Sequence, residues 1–147
     1  MSLSWIERLR RNHAVEHAAM HYLGRLPSRP HLVGRSDWNG FSFYGDVDTK
    51  DLAQAIERGM EQLRAGRYQL ATHPRCGTNI ATTLLLGAGA VWLSSLAARR
   101  KEGPPSPLIT LATISAAVGL SRPLGHLAQT YLLTDSELGE AHIRSIE

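Results

Sequence analysis

Apolar and polar positions follow two different rhythms along this chain, and the rhythm changes near residue 79. In the first half, apolar positions recur at helical spacing between turns. Ile6, Leu9, His13, Glu16, His17 and Met20 share one stripe of a helix predicted from Ser4 to Leu23. Ser4 followed by Glu7 is a capping-box start, and neither proline nor glycine interrupts before Gly24. Gly24 to Pro30 is rich in helix breakers. His31–Gly34 and Phe41–Tyr44 read as two short strands linked through residues 36–40, where Asn39-Gly40 signals a turn. Asp48 caps a second helix with Leu52, Ile56, Met60 and Leu63 as its buried stripe, and Gly66 ends it. Tyr68 to Thr72 reads as a third strand.

The second half loses that alternation. Ile80 to Ala98 is an uncharged apolar stretch that, as a helix, spans nearly the ~30 Å hydrocarbon core of a bilayer. After the charged turn Arg99 to Pro105, a second apolar run from Pro107 to Ser121 continues past Pro123 as a kinked helix to Leu133. The pattern predicts a transmembrane hairpin. Two buried core helices are the alternative, but the first half offers too little apolar surface to cover both. Gly87, Gly89, Ser94, Ser115, Ala116 and Gly119 line the two runs with small residues, which suits close helix packing in lipid and equally a homodimer.

Charge and cysteine usage narrow the classes. A formal charge of +3 on 147 residues does not point to nucleic acid, and none is expected as a partner. Arg8, Arg10 and Arg11 sit where they can face phospholipid headgroups. Cys76 is the single cysteine, which excludes an intrachain disulfide. The first residues are basic and amphipathic, so no cleavable signal is expected. A hairpin leaves both termini on one side of the cell membrane. Basic residues flank the first span almost evenly; the cytoplasmic side is the expectation.

Chemistry concentrates on the first helix. His13 and His17 lie one turn apart, with Cβ atoms about 5–6 Å apart, so both rings can reach one metal ion. Glu16 completes H-x-x-E-H, the inverted zincin pattern, in which the carboxylate works on water activated by zinc. Two ordinary helix histidines and a surface glutamate would give the same five residues, but unpaired histidine and glutamate on an apolar stripe are costly. His21 lies about 12 Å along the axis from His13 and is read as a polar end residue. His73-Pro74-Arg75-Cys76-Gly77-Thr78-Asn79 is a tight loop just before the first span. His73 is read as a third ligand or as a loop histidine capping a helix end, and Cys76 as a fourth ligand or a small packing residue. Thr78 and Asn79 suit a helix cap. Arg122 and His126 lie four apart near one end of the second span. His126 is read as a ligand or an oxyanion donor, and Arg122 as an interfacial residue.

Asn12-His13-Ala14-Val15-Glu16-His17-Ala18, followed by His73-Pro74-Arg75-Cys76-Gly77-Thr78-Asn79 before an apolar span, resembles an uncharacterised family of bacterial membrane proteins. Larger relatives in that family carry a His-Gly-Ala-Glu-His block and a His-Pro-Arg-Cys-Gly-Thr block in the same order and are labelled metal-dependent enzymes. Phe43 to Thr49, Arg64-Ala65-Gly66 and the tail from Pro123 through Gln129 to Thr134 fit its shorter relatives, so the resemblance covers nearly the whole chain. It implies His13 and His17 as ligands, Glu16 as the catalytic carboxylate, and His73 with Cys76 as the second contributing segment.

The expected fold is therefore α+β: a zincin-like unit of helix, β-hairpin, helix and strand over residues 1–78, a two-helix transmembrane hairpin over 79–134, and a polar tail over 135–147. A unit of this size is marginal unless a metal or a docked segment ties it down. The expected function is a zinc-dependent hydrolase at the membrane surface acting on a peptide or membrane-protein substrate. Its expected residues are His13, His17, His73 and Cys76 for the metal and Glu16 and His126 for catalysis. The competing reading is a membrane-anchored metal-binding or adaptor module with a closed His3Cys structural site. A third has no metal and makes the histidines a buried polar network.

Overall fold

The computed structural model describes residues 4–28, 30–100, 106–139, 141–143 and 145. Residues 101–105 of the predicted charged turn lie outside the described residues. The chain divides into two compact units, Met1–His73 with Gln129–Glu147, and Pro74–Ala128.

In the first unit, helix α1 runs from Trp5 to Leu23 with the expected capping box: the Ser4 hydroxyl accepts from the Glu7 N–H, and the Glu7 carboxylate accepts from the Ser4 N–H. The stripe is apolar only in part. Its first turn is exposed, whereas Ala14 through Ala19 are buried all round. Helix α2, Thr49–Arg64, starts on Asp48, whose carboxylate accepts from the Lys50 N–H, and Gly66 follows it with φ of 84°. The helices meet through small residues. A side chain at Gly59 would strike the backbone of Ala18 and Ala19 at 3.0–3.1 Å, so the residue is kept bare by the close approach. Val15, Ile56, Met60, Leu63, Leu70 and Leu138 fill the core around this contact.

Strands β1, Val33–Ser36, and β2, Phe41–Tyr44, form an antiparallel hairpin with Gly34 opposite Phe43 and Ser36 opposite Phe41. The first strand sits two residues later than expected. The Asp37 carboxylate accepts from the Asn39 and Gly40 N–H groups, which tightens the turn to Trp38-Asn39 and lets Ser36 pair. Gly34, Ser36, Phe41 and Phe43 share the inner face.

The expected third strand is corrected. Tyr68–Ala71 is a 3-10 helix. A strand sends neighbours to opposite faces, but here Leu70 and Ala71 are both buried, which a helical turn achieves. Residues 129–143 return to this unit. Leu138 enters the core, Arg11 pairs with Asp135 at 3.4 Å, and the Leu138 carbonyl accepts from Arg11 Nη1.

The second unit holds helix α3, Gly77–Arg100, and helix α4, Pro107–Ala128, which continues through Pro123 as expected; a five-residue π-helix, Gln129–Leu133, then leads back to the first unit. Ala90, Ser94, Ala117, Ser121 and Gly125 are buried between α3 and α4, and Gly125 leaves room for Asn79. Two segments, Gly77–Leu96 and Pro107–Leu133, are long and apolar enough to cross a membrane. Only 6% and 17% of their most apolar stretches are buried, unlike core helices, which are covered on all sides. Several of their hydroxyls bond their own helix: Thr82 donates to the Thr78 carbonyl, Thr83 to Asn79, Ser95 to Val91 and Ser121 to Val118, while the buried Thr110 hydroxyl has no such bond. Hydrocarbon demands this internal satisfaction of polar groups.

Candidate metal centre

The centre is built on the rigid middle of α1. The His13 and His17 rings lie 4.3 Å apart, centroid to centroid. Each ring has one nitrogen fixed by a backbone carbonyl from a distant segment. His17 Nδ1 lies 2.6 Å from the Ala71 carbonyl oxygen, and His13 Nδ1 lies 3.2 Å from that of Leu133. A carbonyl only accepts, so Nδ1 is the protonated nitrogen in both rings. In the neutral imidazole the lone pair then sits on Nε2. This is the outer-shell arrangement that metal-ligating histidines use to fix tautomer and ring angle.

The departures from strand and α-helix supply those carbonyls. The 3-10 turn ends at Ala71, and its exit also offers the Thr72 carbonyl, 2.8 Å from His21 Nε2. His21, read as a polar end residue, is bonded to this carbonyl. The π-helix presents the Leu133 carbonyl to His13, and irregular turns of this kind concentrate at functional sites.

His73 stands beside these rings, 6.0 Å from His17 and 4.9 Å from His21 between centroids. Its backbone N–H donates at 2.9 Å to the side-chain oxygen of Gln129, a fully buried residue. Cys76 follows three residues later, just before α3, where its sulfur accepts from the Thr78 N–H at 3.4 Å. Cys76, not Thr78 or Asn79, thus takes the capping position. Ligand atoms of His13, His17 and Cys76 lie within 4.8 Å of one another, a His2Cys cluster compatible with metal binding. Zinc is bound by imidazole nitrogen and by thiolate sulfur, the two donor types present here. The donor set fits the metal.

Glu16 is buried at 6% exposure and turned toward the hairpin, where its carboxylate accepts a short hydrogen bond from the Ser36 hydroxyl. Gly34 lies against the same carboxylate, and any side chain there would overlap it. His126 lies on α4 in the second unit, exposed, and Arg122 is exposed on the same helix. Sequence reasoning missed Gln129, Ser36 and Gly34. A buried glutamine carries no motif; the alternation of Gly34 and Ser36 along β1 was the one available signal.

Two membrane-length helices, a small helix-and-hairpin unit and a His2Cys cluster define the class. The chain belongs to the DUF6391 family, a domain of unknown function, whose pattern it matches over residues 8–146. It is also similar to an uncharacterized protein of Picosynechococcus sp. (strain ATCC 27264 / PCC 7002 / PR-6), 36% identical over 140 residues. That alignment covers 86% of this chain and 65% of the relative, so the chain spans less than two thirds of the relative's length. No solved structure matches the chain.

Proposed function

We propose that this chain is a membrane-anchored, metal-dependent hydrolase whose substrate is a peptide or a segment of a membrane protein. The observation that carries the reading is the pair of Nδ1–H groups on His13 and His17, each held by a carbonyl, beside the Cys76 sulfur and with Glu16 between them in sequence. His13, His17 and Cys76 would hold the ion, with His73 adjacent. Zinc in such a set supplies Lewis acidity, polarising a carbonyl and acidifying water toward a pKa of about 7.

The rest falls to the chain. Glu16 takes a proton from the attacking water, whose oxygen bonds to the carbonyl carbon. The C–N bond breaks, and Glu16 returns the proton to the leaving nitrogen. The Ser36 hydroxyl holds the Glu16 carboxylate in one orientation. Among the described residues β1 pairs with β2 alone, and an extended peptide can add as a strand on its other edge, near Glu16. His126 carries no step in this scheme.

The test is Glu16→Gln. Full-length protein in detergent should keep its zinc by elemental analysis and lose cleavage of a quenched-fluorescent peptide library by about 10²-fold or more. Turnover equal to that of the parent would sink the reading. The second reading, a non-catalytic closed His3Cys site, draws on the nearness of His73 to His17. It predicts that His73→Ala and Cys76→Ser each release the metal and that Glu16→Gln changes nothing.

A further inference from the structure

We infer that the first turn of α1 is itself a lipid-contacting element, with Trp5 and Ile6 seated at the headgroup–acyl boundary of the bilayer. The inference rests on the membrane-anchored part of the reading above and is independent of catalysis. Residues 129–133 have a double membership. They end the second membrane-length segment, Pro107–Leu133, and they belong to the first unit. Within that unit the carbonyls of residues 131 and 133, and that of 134 just after, are bonded by α1. Arg10 Nη2 donates to the Tyr131 carbonyl at 3.3 Å and to the Thr134 carbonyl at 3.1 Å, and His13 Nδ1 donates to that of Leu133. The same turn points Tyr131 and Leu132 outward, 70% and 68% exposed. A turn that ends a membrane span and bares tyrosine and leucine lies at the interface, where aromatic side chains collect. The α1 segment hydrogen-bonded to it lies at that level too.

Ile6 is one turn before Arg10 on the same helix face. It is 48% exposed and Trp5 is 60% exposed, although both are large and apolar. Arg8, two residues on, is exposed and cationic, the pairing an interfacial helix uses against anionic headgroups. The occupant is the bilayer surface. A protein partner would have no reason to coincide with the end of a membrane span. The consequence is that the histidine-bearing helix is held against the membrane, within reach of segments emerging from it.

The chain's three tryptophans give the experiment. Trp5 is on α1, Trp38 in the hairpin turn and Trp92 on α3. Full-length protein retaining one tryptophan at a time, the others replaced by phenylalanine, is reconstituted into phosphatidylcholine–phosphatidylglycerol vesicles with or without lipid brominated near the headgroup end of the chains. Trp5 emission is expected to shift to the blue, lose intensity in brominated lipid and resist iodide. Moving the probe one residue, with Trp5→Phe and Ile6→Trp, should preserve all three effects. Trp92 quenched while both Trp5 and the residue-6 probe remain unquenched and open to iodide would overturn this inference alone. Trp92 also unquenched would remove the membrane reading and the inference with it.

Discussion

The two units satisfy their polar groups in opposite ways. In the hairpin of α3 and α4, several hydroxyls turn back onto carbonyls three or four residues away, and among the described residues only Ser94 with Thr113 joins hydroxyl to hydroxyl across the pair, at 3.1 Å. In the first unit the bonds run far along the chain. His13 reaches a carbonyl 120 residues on, His17 one 54 residues on, and the Gln129 side chain holds the N–H of His73 across 56 residues. Local bonds keep a helix intact wherever it goes and say little about its neighbours. Distant bonds to backbone specify one arrangement, because their partners are placed by the whole fold. The first unit is therefore where substitution of a polar side chain should be felt.

The largest effect should come from His17→Ala. It removes a cluster member, and in the buried core it orphans the Ala71 carbonyl and leaves a cavity. Elemental analysis should show loss of bound metal, and thermal unfolding followed by circular dichroism should show a loss of about 2–4 kcal/mol. Retained metal with parental stability would mean that the distant bonds of this unit are incidental.

A paired experiment tests the contrast directly. Gln129→Leu keeps the volume but removes the acceptor of the His73 N–H, at an expected cost of about 1–3 kcal/mol. Thr113→Val removes a hydroxyl bonded to the Ile109 and Thr110 carbonyls and to Ser94, and should cost under about 1 kcal/mol in a lipid or detergent environment. Unfolding in the same detergent compares the two. Equal losses would erase the distinction between the units.

These residues also show how far the chain could be read without coordinates. Capping by Ser4 and Asp48, the glycine after α2 and both apolar runs are local signals, and the helices stand where those signals put them. His13, His17 and Cys76 carry side-chain chemistry that is visible by type, and they cluster. What was illegible depends on distance. Tyr68 to Thr72 has the composition of a strand, and only packing onto α1 makes it a helical turn whose last carbonyls meet histidines. Those carbonyls could not be foreseen, since every residue has one. Gln129 looks like the polar end of a span until His73 is seen against it.

The smallest effect concerns a short-range device in the first unit, the capping box of α1. Hydrogen bonds from the Ser4 N–H and then the Ser4 hydroxyl, at 2.7 and 2.9 Å, hold the Glu7 carboxyl below its ordinary value of 4.5, with Arg11 and Arg10 adding to the effect. A folded-state pKa below the unfolded one means that the folded chain binds this proton more weakly. The contribution is thus complete above about pH 4.5 and is lost as pH falls through the lowered value. A carbon-13 titration of the Glu7 side chain should show a midpoint below 4.5 in the parent and a return toward 4.5 in Ser4→Ala. At neutral pH the same substitution should leave bound metal unchanged, because the bonds of the box reach no farther along α1 than Glu7. Metal lost from Ser4→Ala would show that a local contact governs the site after all, and the contrast between near and distant bonding would fail at its simplest point.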